Sequence, residues 1–200
     1  MKKTIDPSVN ELESIEKLVQ GLLLHFGLNL KDENLQDTPK RIAKMFKQEF
    51  FASVGKVVSK KGLTTFSNGE YDEVILFDKI SFVSCCPHHL LPYHGHAHLA
   101  YLPDKVIIGS SKPDRLIDFL CHQPIIQESL SLAIADIFME VVKPKGMMLI
   151  MRGIHSCKTC RGVKASFESG MTTSVTRGVF RTNLDIRLET LQLIQFAIKC

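Results

Sequence analysis

The spacing of hydrophobic residues changes once along this chain, near residue 54, and this change constrains the fold most strongly. Before it, apolar residues recur at helical spacing from Val9 to Phe26, behind a helix start at Asp6 and Pro7, and again from Asp37 to about Phe51. After it, short β-rich runs follow one another, separated by Asp, Pro and Gly. We therefore expect an N-terminal helical segment at residues 1–53 and a mixed region at residues 54–200, within one domain overall.

The mixed region contains predicted strands and predicted helices in alternating groups. Val54 to Asn68 lacks sustained periodicity and is typical of a connection. The predicted strands are 74–77, 80–83, 94–102, 106–108, 147–155 and 172–180, and the predicted helices are 112–121, 125–142 and 184–198. The order of the predicted elements indicates an α+β fold. It runs from helices to a strand cluster, two helices, two strands and a last helix.

Composition and charge exclude several classes of protein. The 44% hydrophobic and 23% charged residues exclude a disordered chain, and no apolar run approaches the roughly 18 residues of a membrane helix. Met1 to Pro7 has two lysines but no apolar stretch behind them, unlike a secretory signal. A net charge of +4, spread along the chain, is too small for a nucleic-acid surface. We expect a cytoplasmic protein whose partners include neither nucleic acid nor membrane.

Cysteine and histidine are concentrated between Ser84 and Pro92, and Cys157 lies in a second such cluster. Six cysteines in a long chain without a secretory signal favour thiols or metal ligands over disulfides. Cys86 and His89 have the Cys-x-x-His spacing at which a thiolate and an imidazole converge on zinc, and Cys157 is a further thiol. Three protein ligands would leave a position open for water, as in a catalytic zinc site, whereas four would close it.

The number of ligands stays open on spacing alone. With Cys86, His89 and Cys157 as ligands, the side chains of His88 and His155 would lie beside the metal as acid–base groups. A closed structural site would also need Cys85 or Cys160. Neighbouring residues of a strand, and residues three apart, point to opposite faces, so this closed site requires the backbone to bend.

Two further patterns have both a functional and a structural interpretation. His94, His96 and His98 alternate along a predicted strand and would share one face, which is more typical of a solvated or interface surface than of a second metal site. The segment Gly109 to Arg115 precedes a helix, where backbone N–H groups favour phosphate. Glu128 lies among apolar residues, and its carboxylate suits either an ion pair or the edge of a guanine base.

Several blocks in this order resemble the GTP cyclohydrolase I family. The resemblance covers most of the chain, from about Asp37 to Phe180, and several blocks in one order are far more specific than any single one. The matching blocks are residues 37–43, 86–92, 97–103, 109–112, 123–128, 155–157 and 161–163.

The resemblance implies a fold, a reaction and a role for individual residues. It implies the tunnelling fold, an antiparallel sheet with helices on one face whose subunits join their sheets into a barrel, and a homodecamer of two pentamers with active sites built from neighbouring subunits. The implied reaction is the zinc-dependent hydrolysis of GTP to 7,8-dihydroneopterin triphosphate and formate, the first step of pterin synthesis. The implied roles are zinc binding by Cys86, His89 and Cys157, catalysis by His88 and His155, guanine binding by Glu128 with Gln127, and triphosphate binding by Ser111, Lys112, Arg115, Arg161 and Arg41.

The chain departs from the family pattern at a few positions. Pro87 replaces the usual Glu between the zinc cysteine and the first histidine, and Ser129 replaces the usual Arg after the guanine-binding carboxylate. Cys85 and Cys160 also stand where other residues are common. These departures leave an alternative, a diverged tunnelling-fold protein that binds a purine nucleotide with altered substrate or with structural zinc and no turnover.

Overall fold

The computed structural model describes residues 11–199. The chain divides into two compact units, the first ending at Ala52 and the second beginning at Ser53. The predicted helix start at Asp6 and Pro7 lies outside the described residues. The assignment of residues 1–53 and 54–200 to an N-terminal segment and a catalytic region stays a prediction.

Two helices that pack against each other make up most of the first unit. Helix α1 spans Glu11–His25 and is followed by Gly27, whose φ of +74° is a conformation that glycine adopts without strain. Helix α2 spans Thr38–Met45, with a proline in its first turn, and continues into the π-helical turn Phe46–Phe50. The two helical periods in the sequence therefore correspond to helices.

The second unit is built on a four-stranded antiparallel sheet with the order β2-β3-β5-β6. Its strands are β2 (Ile75–Cys85), β3 (Pro92–Leu102), β5 (Gly146–His155) and β6 (Gly170–Gly178). The two runs predicted at 74–77 and 80–83 are one strand, because the pairing of β2 with β3 shifts between Phe77 and Ile80 without ending. Lys79 takes up the extra length with a φ of +49°.

A short second sheet was missed by the sequence interpretation. Strand β1 (Thr65–Ser67) pairs antiparallel with β4 (Val106–Ile108), and a 3₁₀ turn, Lys60–Gly62, precedes it. The prediction that Val54 to Asn68 is only a connection is therefore wrong. Three residues are too few to show a period of two, so the strand depends on its partner rather than on its own pattern.

Helices α3 (Lys112–Cys121) and α4 (Gln127–Val142) cover one face of the four-stranded sheet. The core between them includes Leu99, Tyr101, Leu130, Phe138 and Leu149, all with 0% of their surface exposed. Such burial contributes roughly 1.5–3 kcal/mol for each large apolar side chain. The α+β class with antiparallel sheets is confirmed.

Short helices follow both β5 and β6, at positions where the sequence pattern predicts none. Helix α5 (Ser156–Thr159) follows β5 at once, and α6 (Val179–Thr182) begins where β6 ends, so the strand predicted to reach Phe180 stops at Gly178. Phe180 is fully buried in α6. Helix α7 spans Leu184–Lys199 and lies against β2. No helix within residues 11–199 is both long and apolar enough to cross a membrane.

Candidate active site

The turn that joins β2 to β3 brings Cys86 and His89 together. The N–H of Leu90 donates to the carbonyl of Cys86, and the N–H of Cys86 donates to the carbonyl of Leu91, both at 2.9 Å. Leu90 has a φ of +53°, which closes the turn. The Cys-x-x-His spacing is thus a local turn geometry, with Pro87, which has no backbone donor, exposed within it.

Cys157 lies just beyond the C-terminal end of β5, close to Cys86 and His89. The ligand atoms of Cys86, His89 and Cys157 all lie within 4.8 Å of one another. Two thiolates and one imidazole are a donor set that zinc prefers, and they match the three protein ligands of a catalytic site. Burial, followed by the neighbouring Cys86 thiol, raises the pKa of the Cys157 thiol, while Arg161 opposes this shift. A bound cation would reverse the balance and favour the thiolate.

Cys85 and Cys160 stand outside this group within residues 11–199. Cys85 is fully buried, and its thiol lies 3.9 Å from the carbonyl oxygen of Cys86. Cys160 follows the helical turn α5 and is exposed, with its thiol 3.7 Å from the hydroxyl of Thr159. Extended backbone was predicted to separate Cys157 from Cys160. The backbone between them is helical instead, and the Cys160 thiol still lies outside the group formed by Cys86, His89 and Cys157.

A cavity of about 220 Å³ lies beside the metal-ligand group. Its lining includes both predicted catalytic histidines, His88 and His155, together with Gln127, Glu128 and Cys86. The Nδ1 atom of His88 lies 3.5 Å from the Sγ atom of Cys86. Residues predicted as catalytic and as guanine-binding therefore line one cavity with a metal ligand.

The start of α4 is fixed against the end of β2, and this places Glu128. The N–H of Ile125 donates to the carbonyl of Cys85 at 3.0 Å, and the hydroxyl of Tyr93 donates to the carbonyl of Ile125 at 2.9 Å. Glu128 is exposed in the first turn of the helix, where the positive end of the helix dipole favours a carboxylate. The cavity thus has an acceptor group at its rim.

His155 is held from two sides. Its imidazole ring stacks on the ring of Tyr93, with centroids 4.5 Å apart and planes 3° apart, and its Nε2 atom lies 3.0 Å from Oε1 of Gln127. Burial lowers the pKa of His155, while the Glu128 carboxylate opposes this shift and Lys158 adds to it. The ring is therefore fixed in place and favoured in its neutral form.

Tyr93 and Gly153 are site residues that the sequence interpretation missed. Tyr93 is opposite His155 in the pairing of β3 with β5, a relationship with no local signal in the sequence. Gly153 leaves room for Gln127, because a Cβ atom there would lie 2.4 Å from Oε1 of that residue. The signal in the sequence for this close approach is a glycine within a predicted strand, two residues before His155.

The predicted triphosphate residues do not line this cavity. Ser111, Lys112 and Arg115 lie at the start of α3, and Arg161 directs its NH1 atom to Nε2 of His89 at 2.6 Å. Arg41 belongs to α2 of the first unit, where its guanidinium lies 3.4 Å from the Asp37 carboxylate. Within the second unit, the cavity is therefore lined by residues predicted to bind metal and base, and not by Ser111, Lys112, Arg115 or Arg161, which are predicted to bind phosphate.

The three alternating histidines do share one face of β3, as predicted. His94, His96 and His98 line a second cavity of about 450 Å³ together with Lys79 and Arg152. Nδ1 of His98 accepts a hydrogen bond from the N–H of Lys79 at 3.3 Å. In the described part of the chain the three rings do not converge on one point as metal ligands would.

Known proteins match this chain over most of its length. The family model described as GTP cyclohydrolase I matches residues 15–195. The chain belongs to the GTP cyclohydrolase I family. It is 39% identical to GTP cyclohydrolase 1 of Geobacillus kaustophilus over 190 residues, covering 94% of this chain and 99% of the relative. It is 42% identical to the enzyme of the same name from Caldanaerobacter subterraneus subsp. tengcongensis over 183 residues, covering 91% and 96%.

A third relative and one solved structure complete the comparison. GTP cyclohydrolase 1 of Streptococcus mutans is 37% identical over 187 residues, covering 93% of this chain and 96% of the relative. The crystal structure of the archaeosine synthase QueF-Like in the apo form matches with a TM-score of 0.42 and 11% identity, over 55% of this chain and 97% of that chain. This structural likeness is too small to bear on function.

Proposed function

We propose that the cavity beside Cys86, His89 and Cys157 is where this chain hydrolyses GTP to 7,8-dihydroneopterin triphosphate and formate. The chain belongs to a family of hydrolases that act on GTP, so the enzyme class predicted from the sequence is confirmed. The observation that supports this cavity as the site is its lining, which combines a metal ligand, two histidines and a carboxylate.

The metal in this proposal is zinc, held by Cys86, His89 and Cys157. Soft thiolates and an imidazole fit zinc better than they fit magnesium or calcium, which prefer oxygen ligands. A bound zinc ion would supply Lewis acidity and lower the pKa of a water molecule for attack on C8 of guanine. The alternative with a closed structural zinc needs a fourth ligand, and Cys85 and Cys160, its two candidates, lie outside the group.

The other residues that line the cavity have separate roles in this proposal. Glu128 accepts hydrogen bonds from the guanine edge with its two carboxylate oxygens. His155 delivers a proton to the imidazole nitrogen of guanine as the ring opens, since its ring is fixed by Tyr93 beside the metal ligands. His88, which also lines the cavity, orients water or carries protons. The position of each side chain in the cavity and the family resemblance support these roles.

The triphosphate is held in this proposal by residues from more than one subunit. Ser111, Lys112 and Arg115 of one chain serve the cavity of a neighbouring chain, together with Arg161 and Arg41. Two points support this arrangement: Ser111, Lys112, Arg115 and Arg161 do not line the cavity of their own chain, and the start of a helix such as α3 favours phosphate.

The oligomer proposed is a decamer of two pentamers, with the sheets joined into a barrel. Strands β2 and β6 are the outer strands of the four-stranded sheet, and each presents an edge to which another strand can add. Pairing of β6 with β2 of the next subunit would close such a barrel. The predicted cytoplasmic location stays a prediction.

The proposed function is tested by turnover with GTP. Zinc-loaded protein is incubated with GTP and, separately, with ATP, ITP and GDP, and formate and the fluorescent pterin formed after oxidation are measured. We expect both products from GTP and neither from ATP. Formate from another nucleotide but not from GTP would instead support the diverged enzyme, for which the replacements at Pro87 and Ser129 give a reason. Full zinc occupancy without turnover of any nucleotide would overturn the proposal.

A substitution pair connects the activity to this cavity. Glu128→Gln removes the carboxylate at the rim, and we expect at least about a tenfold loss of GTP affinity, since hydrogen bonds to a charged group contribute about 1.5–3 kcal/mol. Glu140→Gln, at the other end of the same helix, is the matched control, because Glu140 is exposed, pairs with Lys60 and does not line the cavity. Equal affinities for the two variants would remove Glu128 from the site.

A further inference from the structure

Gln127 has its whole side-chain amide engaged by protein groups. The residue is fully buried at the start of α4, with 0% of its surface exposed. Its Nε2 atom donates towards the carbonyl oxygens of Met151 and Met171 and the hydroxyl of Thr173, each at 3.1 Å. Its Oε1 atom lies 3.0 Å from Nε2 of His155. Little of this side chain is left for a substrate.

These partners determine which way the amide points. Carbonyl oxygens only accept hydrogen bonds, so the NH₂ end of Gln127 must face Met151 and Met171, and Oε1 must face His155. Because Oε1 also only accepts, the Nε2 atom of His155 must carry the proton that joins them. In the described part of the chain, Nδ1 of His155 has no hydrogen-bond partner.

The surroundings hold Gln127 in this orientation. Gly153 leaves the space that Oε1 occupies, since a Cβ atom there would come within 2.4 Å of it. The hydroxyl of Ser131 donates to the backbone carbonyl of Gln127 at 2.8 Å and lies 2.8 Å from the hydroxyl of Thr173. Rotation of the amide would leave the buried carbonyl of Met151 and the partly buried carbonyl of Met171 facing an oxygen, so both would lose their hydrogen-bond donor.

We propose that Gln127 is a positioning residue that keeps the proton of His155 on Nε2, so that Nδ1 is the nitrogen that exchanges a proton with the substrate. Gln127 then acts through His155 and does not bind guanine itself, which revises the role implied by the family resemblance. The identity of the substrate rests on the proposed function, whereas the hydrogen bond between Gln127 and His155 does not.

The first test separates the chemical step from substrate binding. Gln127→Met keeps the length of the side chain but removes the acceptor, and we expect the single-turnover rate with GTP to fall about 10–100-fold, the usual effect of losing a partner that orients a functional histidine. The equilibrium dissociation constant for GTP should change by less than about twofold, because no contact made in the ground state is lost. A large loss of affinity with an unchanged rate would place Gln127 on the substrate and overturn the inference.

A control variant and a second substitution separate this role from general damage to the fold. Gln123→Met removes an amide that donates to the carbonyl of Leu120 outside the cavity, and this variant should retain the wild-type rate. Gly153→Ala should reproduce the slow phenotype of Gln127→Met, since its Cβ displaces Oε1 while both partners remain in the chain.

The second test does not depend on activity. Solid-state ¹⁵N spectra of histidine-labelled, zinc-loaded protein, with the His155 signals assigned from their loss in His155→Ala, report which ring nitrogen carries the proton. We expect a protonated Nε2 and an unprotonated Nδ1 in the wild-type protein. A protonated Nδ1 beside an unprotonated Nε2 would overturn the inference even if the variants cannot be folded. If no nucleotide is turned over, the proposed function fails, while these spectra still decide the role of Gln127.

Discussion

The imidazole of His155 lies parallel to the phenol ring of Tyr93, with ring centroids 4.5 Å apart. The two residues are partners in the pairing of β3 with β5, so the sheet itself sets their stacking. The hydroxyl of Tyr93 is directed away to the carbonyl of Ile125, which leads into α4. One buried tyrosine therefore connects His155 to the helix that carries Glu128.

Removing the ring of Tyr93 should slow catalysis, whereas removing its hydroxyl should not. Tyr93→Leu takes away the surface on which His155 rests, and we expect the turnover number with GTP to fall at least about tenfold, as for other groups that position a functional side chain. Tyr93→Phe keeps the stack and should retain most activity, with a free energy of unfolding lower by about 1 kcal/mol from the lost hydrogen bond. Steady-state kinetics and denaturant unfolding measure the two effects. Equal turnover by both variants would contradict a role for the stack.

Metal content should distinguish the residues of the ligand group from the histidine beside it. Cys157→Ala removes one of three donors, and we expect loss of both bound zinc and formate production. His155→Ala should abolish ring opening but retain zinc, because His155 lies outside the donor group. Elemental analysis after gel filtration measures zinc for each chain. Release of zinc from the His155 variant would show that the ligand assignment is wrong.

His98 should make the protein less stable in mild acid. Burial lowers the pKa of His98, the neighbouring His96 and Lys79 add to this shift, and Asp78 opposes it. Protonation would also break the hydrogen bond that Nδ1 accepts from Lys79. Because the pKa of this histidine is lower in the folded state, the unfolded state binds the proton at a higher pH than the folded state does. Its contribution to stability is therefore complete above the ordinary histidine pKa near 6.5 and is lost as the pH falls below that value.

The measurement compares the free energy of unfolding of wild type and His98→Gln between pH 7.5 and 5. We expect the difference between wild type and variant to shrink as the pH falls. His25→Gln is the control, since His25 ends α1 of the other unit and contacts the neighbouring Phe26 ring. A difference that stays constant over this range would contradict the prediction.

Gly95 should tolerate no side chain. A Cβ atom there would lie 1.9 Å from the carbonyl oxygen of Arg152 on the paired strand β5, so Gly95→Ala must push two central strands apart. We expect the free energy of unfolding to fall by about 1–3 kcal/mol or more, as for other overpacked sites. Gly21→Ala, at an open position within α1, should be neutral or stabilise that helix by roughly 0.5–1 kcal/mol. Chemical denaturation of both variants tests this contrast.

The parts of the site that depend on neighbouring residues in sequence were predictable. Cys86 and His89 meet through a single turn, and the helix that begins at Lys112 is present as predicted, because caps, turns and periodicity act over a few residues. Spacing alone identified Cys157 only as a further thiol, because it does not state which distant residues meet, and its place beside Cys86 and His89 was implied by the family resemblance.

Other parts of the site depend on strand register and could not be predicted from local patterns. Tyr93 contacts His155 because of the pairing of β3 with β5, and Gln127 reaches the same ring from α4. The family resemblance implied a substrate contact for Gln127, whereas its amide faces four protein groups. Register and the direction of a buried amide follow from the packed fold as a whole.

The two segments that carry the proposed metal ligands follow strands that are not neighbours. Cys86 follows β2, Cys157 follows β5, and β3 lies between these strands. An ion held by both cysteines would cross-link the chain and close a loop of roughly seventy residues, which lowers the entropy of the unfolded state. The supply of zinc would then determine how long the enzyme stays folded as well as whether it is active. Removal of zinc by a chelator should therefore expose the chain to proteolysis.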